Sequence, residues 1–250
     1  MTEQFTTTPQ SADGENSRLE EVAQWFDSRK GLNYELIKYA ARKIMSCTKG
    51  PRALEMGCAS GVMTEDFGRH FPRFDVVEAA GPYAEHARTL VPEGSRVYQC
   101  LFEEFEPEIQ YDAIMMTWIL EHVISPPEIM ARAKEWLAPG GKIYIVVPHA
   151  ESLHRHVGVA MGMLERVDQL NESDLAIGHR RVYTWEALAT DIAAAGLKLV
   201  TMEGILLKPL ASSQMEAWPA ELRAAYFKLG ALQPRLCSEI FAICGRADEE

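Results

Sequence analysis

The chain contains no run of about 18 continuous apolar residues, so no segment reads as a membrane-spanning helix. It also lacks a CxxC pair, an HExxH helix and a glycine-rich loop ending in GKS or GKT. Those absences remove the common zinc and P-loop readings. No carboxylate–histidine set is clustered in the sequence either, and no metal is expected. Cysteines are few and scattered: Cys47, Cys58, Cys100, Cys237 and Cys244. An odd number without metal spacing suits reduced thiols in a cytoplasmic protein.

Positive charge is scarce. There are 25 Lys and Arg against 36 Asp and Glu, a formal net charge of −11. This balance repels polyphosphate and anionic lipid, so neither nucleic acid nor a membrane surface is expected as partner. The N-terminal MTEQFTTTPQSADGENS has no apolar stretch of the kind a secretory signal needs. Its composition predicts a flexible tail over residues 1–17.

The rest is ordinary globular material, 47% apolar and 24% charged over 250 residues. Residues 18–48 predict an N-terminal helical cap. Leu19, Val22, Trp25 and Phe26 recur at helical spacing, and Leu36, Ile37, Ala40 and Ile44 do so beyond Gly31. From residue 49 to 250 strands alternate with helices. RALEM, FDVVEA, RVYQCL, YDAIMMTWIL and KIYIVVP read as five strands, the last after a Pro139-Gly140-Gly141 turn. LKLVTMEGILLKPL and SEIFAICGR supply a sixth and a seventh. The expected fold is α/β: a seven-stranded, mostly parallel, Rossmann-like sheet with helices on both faces. Residues 149–180 interrupt the rhythm and predict a helical cap insertion after strand 5.

The most informative segment is Leu54-Glu55-Met56-Gly57-Cys58-Ala59-Ser60-Gly61, placed between a strand and a helix. Gly57 allows a sharp turn, and Gly61 allows the helix start to approach a ligand or the sheet. The spacing is GxxxG rather than the dinucleotide GxGxxG, which argues against a nicotinamide-dependent oxidoreductase. Glu78 ends the second strand, about twenty residues on. A carboxylate there suits a ribose diol, whose two hydroxyl protons it can accept.

With these residues in view, the sequence resembles the class I S-adenosylmethionine-dependent methyltransferases. It is most similar to small-molecule enzymes related to ubiquinone-biosynthesis methylases. LEMGCASG, VVEAA, QCLFEEFEPEIQYDAIMMTWILEHV and LAPGGKIYIVVP carry the resemblance. It implies S-adenosyl-L-methionine as cofactor and S-adenosyl-L-homocysteine as product. Glu55, Gly57 and Gly61, with Cys58 and Ala59 between them, would surround the methionine part. Glu78 would hold the ribose and Ala79 would lie against the adenine. Leu101 and Phe102 would flank the adenine ring. Thr117 and Trp118 would close the pocket, with His122 nearby.

A sulfonium methyl is already electrophilic, so the protein's tasks are alignment, exclusion of water and removal of a proton from a hydroxyl acceptor. Imidazole suits that last task near neutral pH. His179 and His154 are the expected bases. His149, Arg155, Arg180 and Arg181 form a basic group in an acidic chain, which points to an anionic or phenolic small substrate. Tyr34 and Met161 are further candidate substrate contacts, and the N-terminal helices are a candidate second wall. Oxygen is the expected acceptor, with nitrogen, carbon and a non-catalytic cofactor-binding subunit as alternatives. A homodimer is compatible with all of these. The strand end Met116-Thr117-Trp118-Ile119 lacks the Asn-Pro-Pro-Tyr type of loop seen in many base-modifying relatives.

Overall fold

In the computed structural model, which describes residues 12–247, the apolar runs become one sheet. Its strands are β1 (Arg52–Met56), β2 (Arg73–Val77), β3 (Val97–Tyr98), β4 (Tyr111–Thr117), β5 (Leu137–Pro148), β6 (Leu197–Ile205) and β7 (Glu239–Arg246). The spatial order is β3-β2-β1-β4-β5-β7-β6. The first five pair in parallel, and only β7 runs against its neighbours β5 and β6. The mostly parallel seven-stranded sheet expected from the sequence is therefore present.

Alternation along the central strands sends side chains to two separate cores. Leu54, Met56, Ile114, Met116, Ile143 and Ile145 pack on one face. Ala53, Ala113, Met115, Tyr144 and Val146 pack on the other. Burial on both faces is why these strands read as nearly continuous apolar runs. The first face is covered by α5 (Pro126–Glu135) and α8 (Trp185–Ala194), which contribute Ile129, Met130, Leu188 and Ile192. The second is covered by α2 (Gly31–Cys47), α3 (Val62–His70) and α10 (Ala220–Leu232) through Leu36, Ile44, Phe67 and Phe227. Thr184 caps α8 by accepting a hydrogen bond from the Ala187 amide at 3.1 Å.

Two boundaries differ from expectation. The Pro139-Gly140-Gly141 turn lies inside β5. Tyr111 pairs with Leu137 and Ala113 with Lys142, so a register shift absorbs the turn. The expected tail also ends early. Residues 1–11 lie outside the described part, but α1 spans Ala12–Trp25. Its first turns are held by charge rather than apolar burial: Glu15 pairs with Arg18 and, at 3.4 Å, with Arg180. Such pairing leaves no hydrophobic period to read.

The segment after β5 folds into α6 (Leu153–Ala160) and α7 (Glu172–Ala176). A reciprocal cap of Asn171 and Asp174 starts α7. Between the two helices the chain is irregular and its carbonyls need donors. No helix among the described residues is long and apolar enough to cross a membrane.

Candidate active site

The C-terminal tips of β1, β2 and β4 meet at one edge, where open α/β sheets bind ligands. The β1 tip turns at Gly57, whose φ is +74°. Its amide donates to Val77 O at 2.8 Å and ties the turn to β2. Ala59 follows at φ +42°. In this conformation the amides of Cys58 and Ala59 both donate to Glu78 Oε2, at 3.0 and 3.3 Å. Glu78 Oε1 accepts the Ala80 amide at 2.9 Å. Burial pushes the Glu78 carboxyl above its usual range, and the three amide donors oppose that rise.

Beneath the turn, Glu55 is buried and accepts from Thr64 Oγ1 at 2.7 Å. Burial pushes its carboxyl up to about 8, with the Glu78 charge adding to the effect. At the β4 tip Trp118 takes φ +54°, and its indole Nε1 donates to Glu239 Oε2 at 2.9 Å. Burial pushes Glu239 up to about 7, against the Trp118 hydrogen bond and the charge of Lys208.

These tips floor a cavity of about 540 Å³. Leu19 and Val22 of α1, Phe26 just beyond it, and Leu36 and Ile37 of α2 form its roof. The roof is strapped at both sides of the sheet edge. Arg18 donates to Ile177 O at 3.3 Å in the cap. On the other side Glu20 accepts the Gly81 amide at 2.7 Å, and Tyr83 donates to Phe26 O at 2.8 Å.

Of the residues expected at the cofactor, Glu55, Gly57, Cys58, Ala59, Glu78, Ala79, Leu101, Phe102, Thr117, Trp118 and His122 all line this cavity. Gly61 does not. A Cβ there would meet Leu90 Cδ1 at 2.8 Å, so the close approach it permits is to the neighbouring residues after α4 (Gly81–Arg88). His179 and Arg180 line the cavity as well.

The other expected residues lie elsewhere, for identifiable reasons. His154 lies outside the lining; burial, with Lys208 and Arg155 adding, lowers it to about 3. His149 is drawn into the sheet, its amide on Ser238 O and its Nδ1 2.9 Å from Cys237 O. Arg155 serves the irregular cap: it donates to Val167 O at 2.6 Å, to Gln169 O and to Asp174 Oδ2. Arg181 donates to Leu120 O, Val123 O and Ile124 O at 2.7, 2.6 and 3.1 Å. Arg180, though at the cavity, donates to His122 O at 2.5 Å and pairs with Glu15. The arginines thus satisfy backbone carbonyls and two carboxylates of the protein, Asp174 and Glu15. Tyr34 is exposed on α2 with Lys38 over its ring, and Met161 is 69% exposed at the end of α6.

Three acidic or histidine groups meet where no cluster was expected. Glu121, His122 and His179 bring one ligand-type atom each within 4.8 Å of one another. The rings of His122 and His179 are edge to face at 4.7 Å. His122 Nδ1 lies 3.3 Å from Gly178 O, and His179 Nδ1 lies 3.3 Å from Asp174 Oδ1. Burial lowers His122 to about 3, with the charge potential of His179 and Arg18 adding. Glu121 is fully buried, and burial holds its carboxyl well above the usual range. Glu121 and Glu239 were both missed in the sequence. The signal was an acidic residue inside a largely apolar stretch, WILEHV and SEIFAI.

Comparison with known proteins shows the family. The family model described as a methyltransferase domain matches residues 19–202. The ubiquinone biosynthesis O-methyltransferase of Bos taurus is 24% identical over 215 residues, covering 80% of this chain and 56% of that protein. The chain therefore spans little more than half the length of that relative. An S-adenosylmethionine-dependent methyltransferase from Mesorhizobium loti superposes with a TM-score of 0.62 at 15% identity, over 84% of this chain and 98% of the other. The N-methyltransferase NodS from Bradyrhizobium japonicum, solved with S-adenosyl-L-homocysteine, gives 0.59 at 14% identity, over 92% and 100%. The two solved structures share the fold, and the family match over most of its length shows that the chain belongs to the methyltransferase domain family.

Proposed function

We propose that the chain is an S-adenosylmethionine-dependent methyltransferase acting on a hydroxyl oxygen of a small molecule. The observation that carries this reading is Glu78, whose carboxylate joins the two strand tips at the cavity wall. An ionised carboxylate has about four lone-pair positions. Oε2 is taken by two amides, whereas Oε1 takes one and keeps a position for a sugar hydroxyl. Gly57 supports the same fit. A Cβ there would stand 3.0 Å from Ile119 Cγ2 and 3.5 Å from Phe102 Cζ, closing space between the β1 and β4 tips. Ala79, Leu101 and Phe102 offer an apolar slot for a flat base.

When bound, S-adenosylmethionine supplies a sulfonium methyl, an electrophile that needs only an aligned nucleophile. The chain's residues supply the rest. Leu19, Val22 and Phe26 exclude water from above. Glu55 and Thr64 fix the floor under the turn. The proton of the acceptor hydroxyl passes to a ring nitrogen of His179, at the end of the cavity formed by Glu121, His122 and His179. His154 has no part in that step.

The O-methyltransferase relatives support oxygen as the acceptor atom. Turnover with methyl-labelled cofactor and a panel of phenols and hydroxy acids tests the reading. Label on oxygen, with S-adenosylhomocysteine formed in equal amount, supports it. Cofactor binding without turnover on any acceptor class favours the non-catalytic subunit instead.

A further inference from the structure

We propose that Glu239 and Trp118 bind a protonated amine carried by the methyl acceptor, which makes that acceptor a hydroxylated amine rather than an anion. The proposal deepens the methyl-transfer reading and rests on it. Glu239 opens β7 and pairs with Pro148 at the end of β5, so it stands at the same sheet edge as Glu78. From β2 to β7 the spatial order runs through β1, β4 and β5. Four strand spacings of about 4.8 Å put the two carboxylates roughly 19 Å apart along that edge. One cavity reaches both. A cofactor with its ribose on Glu78 and its base by Leu101 and Phe102, after β3, leaves the β5–β7 side for the acceptor.

The chemistry on that side favours positive charge. Glu239 is only 8% exposed. Its strongest hydrogen bond comes from the Trp118 indole at 2.9 Å, and the Lys208 charge and the Ser238 hydroxyl act on it less. Glu121, whose carboxyl feels the Glu239 charge, is an independent observation. It is fully buried at the cavity wall, and neither of its oxygens has a hydrogen-bond partner. Carboxylates so placed are costly unless a cation or a donor comes to them. The protein's own guanidinium groups are committed. Arg181 is bound to three carbonyls, and Arg18 and Arg180 are paired with Glu15. Seven glutamates line the cavity against two arginines, and the arginines are Arg18 and Arg180.

An ammonium answers each of these features. It has three N–H donors to share between Glu239 and Glu121. Indole is the best of the aromatic partners for a cation, and the bond to Glu239 fixes the Trp118 ring beside it. Burial raises both carboxyls, and a bound cation lowers them again. A ring nitrogen of His179 lies within 4.8 Å of a Glu121 oxygen. A hydroxyl at His179 and an amine at Glu239 can therefore belong to one small molecule. An anionic acceptor would set its charge against two buried carboxylates, with Arg180 and Arg181 already bound to carbonyls.

The test uses the full chain saturated with S-adenosylhomocysteine and titrated by calorimetry with three phenols of similar size. Tyramine carries an ammonium, 4-propylphenol is neutral and 3-(4-hydroxyphenyl)propanoate carries a carboxylate. Tyramine is expected to bind roughly tenfold or more tightly than 4-propylphenol, and the propanoate more weakly than either. Glu239→Gln keeps an acceptor for the indole. It is expected to weaken tyramine binding roughly tenfold and to leave 4-propylphenol within about threefold. Glu221→Gln, on an exposed side chain of α10, is expected to change neither. Melting curves and S-adenosylhomocysteine titration of each variant report whether fold and cofactor pocket persist. Tyramine binding no tighter than 4-propylphenol on the wild-type chain overturns the proposal, whether or not Glu239→Gln folds. So does equal tyramine affinity in wild type and Glu239→Gln, or a loss in that variant that S-adenosylhomocysteine shares to the same extent. A wild-type chain that does not bind S-adenosylhomocysteine overturns the methyl-transfer reading as well, so the two failures are distinguishable.

Discussion

The Cys58 main-chain amide donates to Glu78 Oε2 across 3.0 Å, joining residues twenty apart in sequence. The bond belongs to the backbone. The Cys58 thiol adds only a 3.5 Å contact to the same oxygen. Cys58→Ala therefore keeps the essential donor. We expect its affinity for S-adenosylhomocysteine to stay within about threefold of wild type by calorimetry, since a neutral thiol is a weak donor.

Gly57→Ala acts on the same turn from the other side. It places a Cβ at φ +74° and 3.0 Å from Ile119. A left-handed L-residue costs about 1–2 kcal/mol. We expect a lower melting temperature and roughly tenfold weaker cofactor binding, measured by thermal melts and by titration.

The two expected bases separate cleanly. His179 lines the cavity and His154 does not. His179→Gln is expected to reduce turnover roughly 100-fold or more. His154→Gln is expected to leave it within about threefold. Equal losses in both variants, measured with saturating cofactor, would contradict the placement.

Arg181 distinguishes a structural arginine from a substrate-binding one. It holds three carbonyls of the loop carrying Glu121 and His122. Arg181→Ala is expected to cost about 2–4 kcal/mol. For a chain of this size that lowers the melting temperature by roughly 5–15 °C. A variant with unchanged stability that instead loses preference for anionic acceptors would restore the substrate role.

Glu55 gives the stability a pH signature. Its folded carboxyl is raised to about 8 by burial, from an ordinary 4.5. Its contribution is fully present below pH 4.5 and is lost as pH rises through 8, because the unfolded chain ionises first. Glu55→Gln removes that contribution. We expect the difference in unfolding free energy between wild type and Glu55→Gln to fall across this window, by at most ~1.4 kcal/mol per pH unit. A difference independent of pH between 4.5 and 8 in denaturant titrations would show that the carboxyl ionises normally in the folded chain.

Much of the sheet was legible because its strands are buried on both faces and its helices begin with recognisable residues, such as Thr184. The glycine turn at the cavity was legible because Gly57 and Glu78 sit at strand tips with the spacing a βαβ unit imposes. What could not be read depends on partners distant in sequence. The arginines of the insertion looked like anion receptors because nothing in the sequence shows the carbonyls they satisfy. Glu121 and His122 are adjacent, but His179 joins them only when the cap folds over the sheet edge. The first turns of α1 were missed because Glu15 holds them through Arg18 and Arg180.

The most direct test of the account is titration of the full chain and Glu78→Gln with S-adenosylhomocysteine. In the variant an amide NH₂ must face one of the amide donors now on the carboxylate. That cost falls on the free and the bound protein alike, whereas a sugar hydroxyl loses a bond to a charged acceptor, worth about 1.5–3 kcal/mol. One molecule bound per chain, with affinity lowered roughly 10–100-fold in Glu78→Gln, is the expected result. No binding to the wild-type chain, or equal affinity in the two proteins, would contradict it.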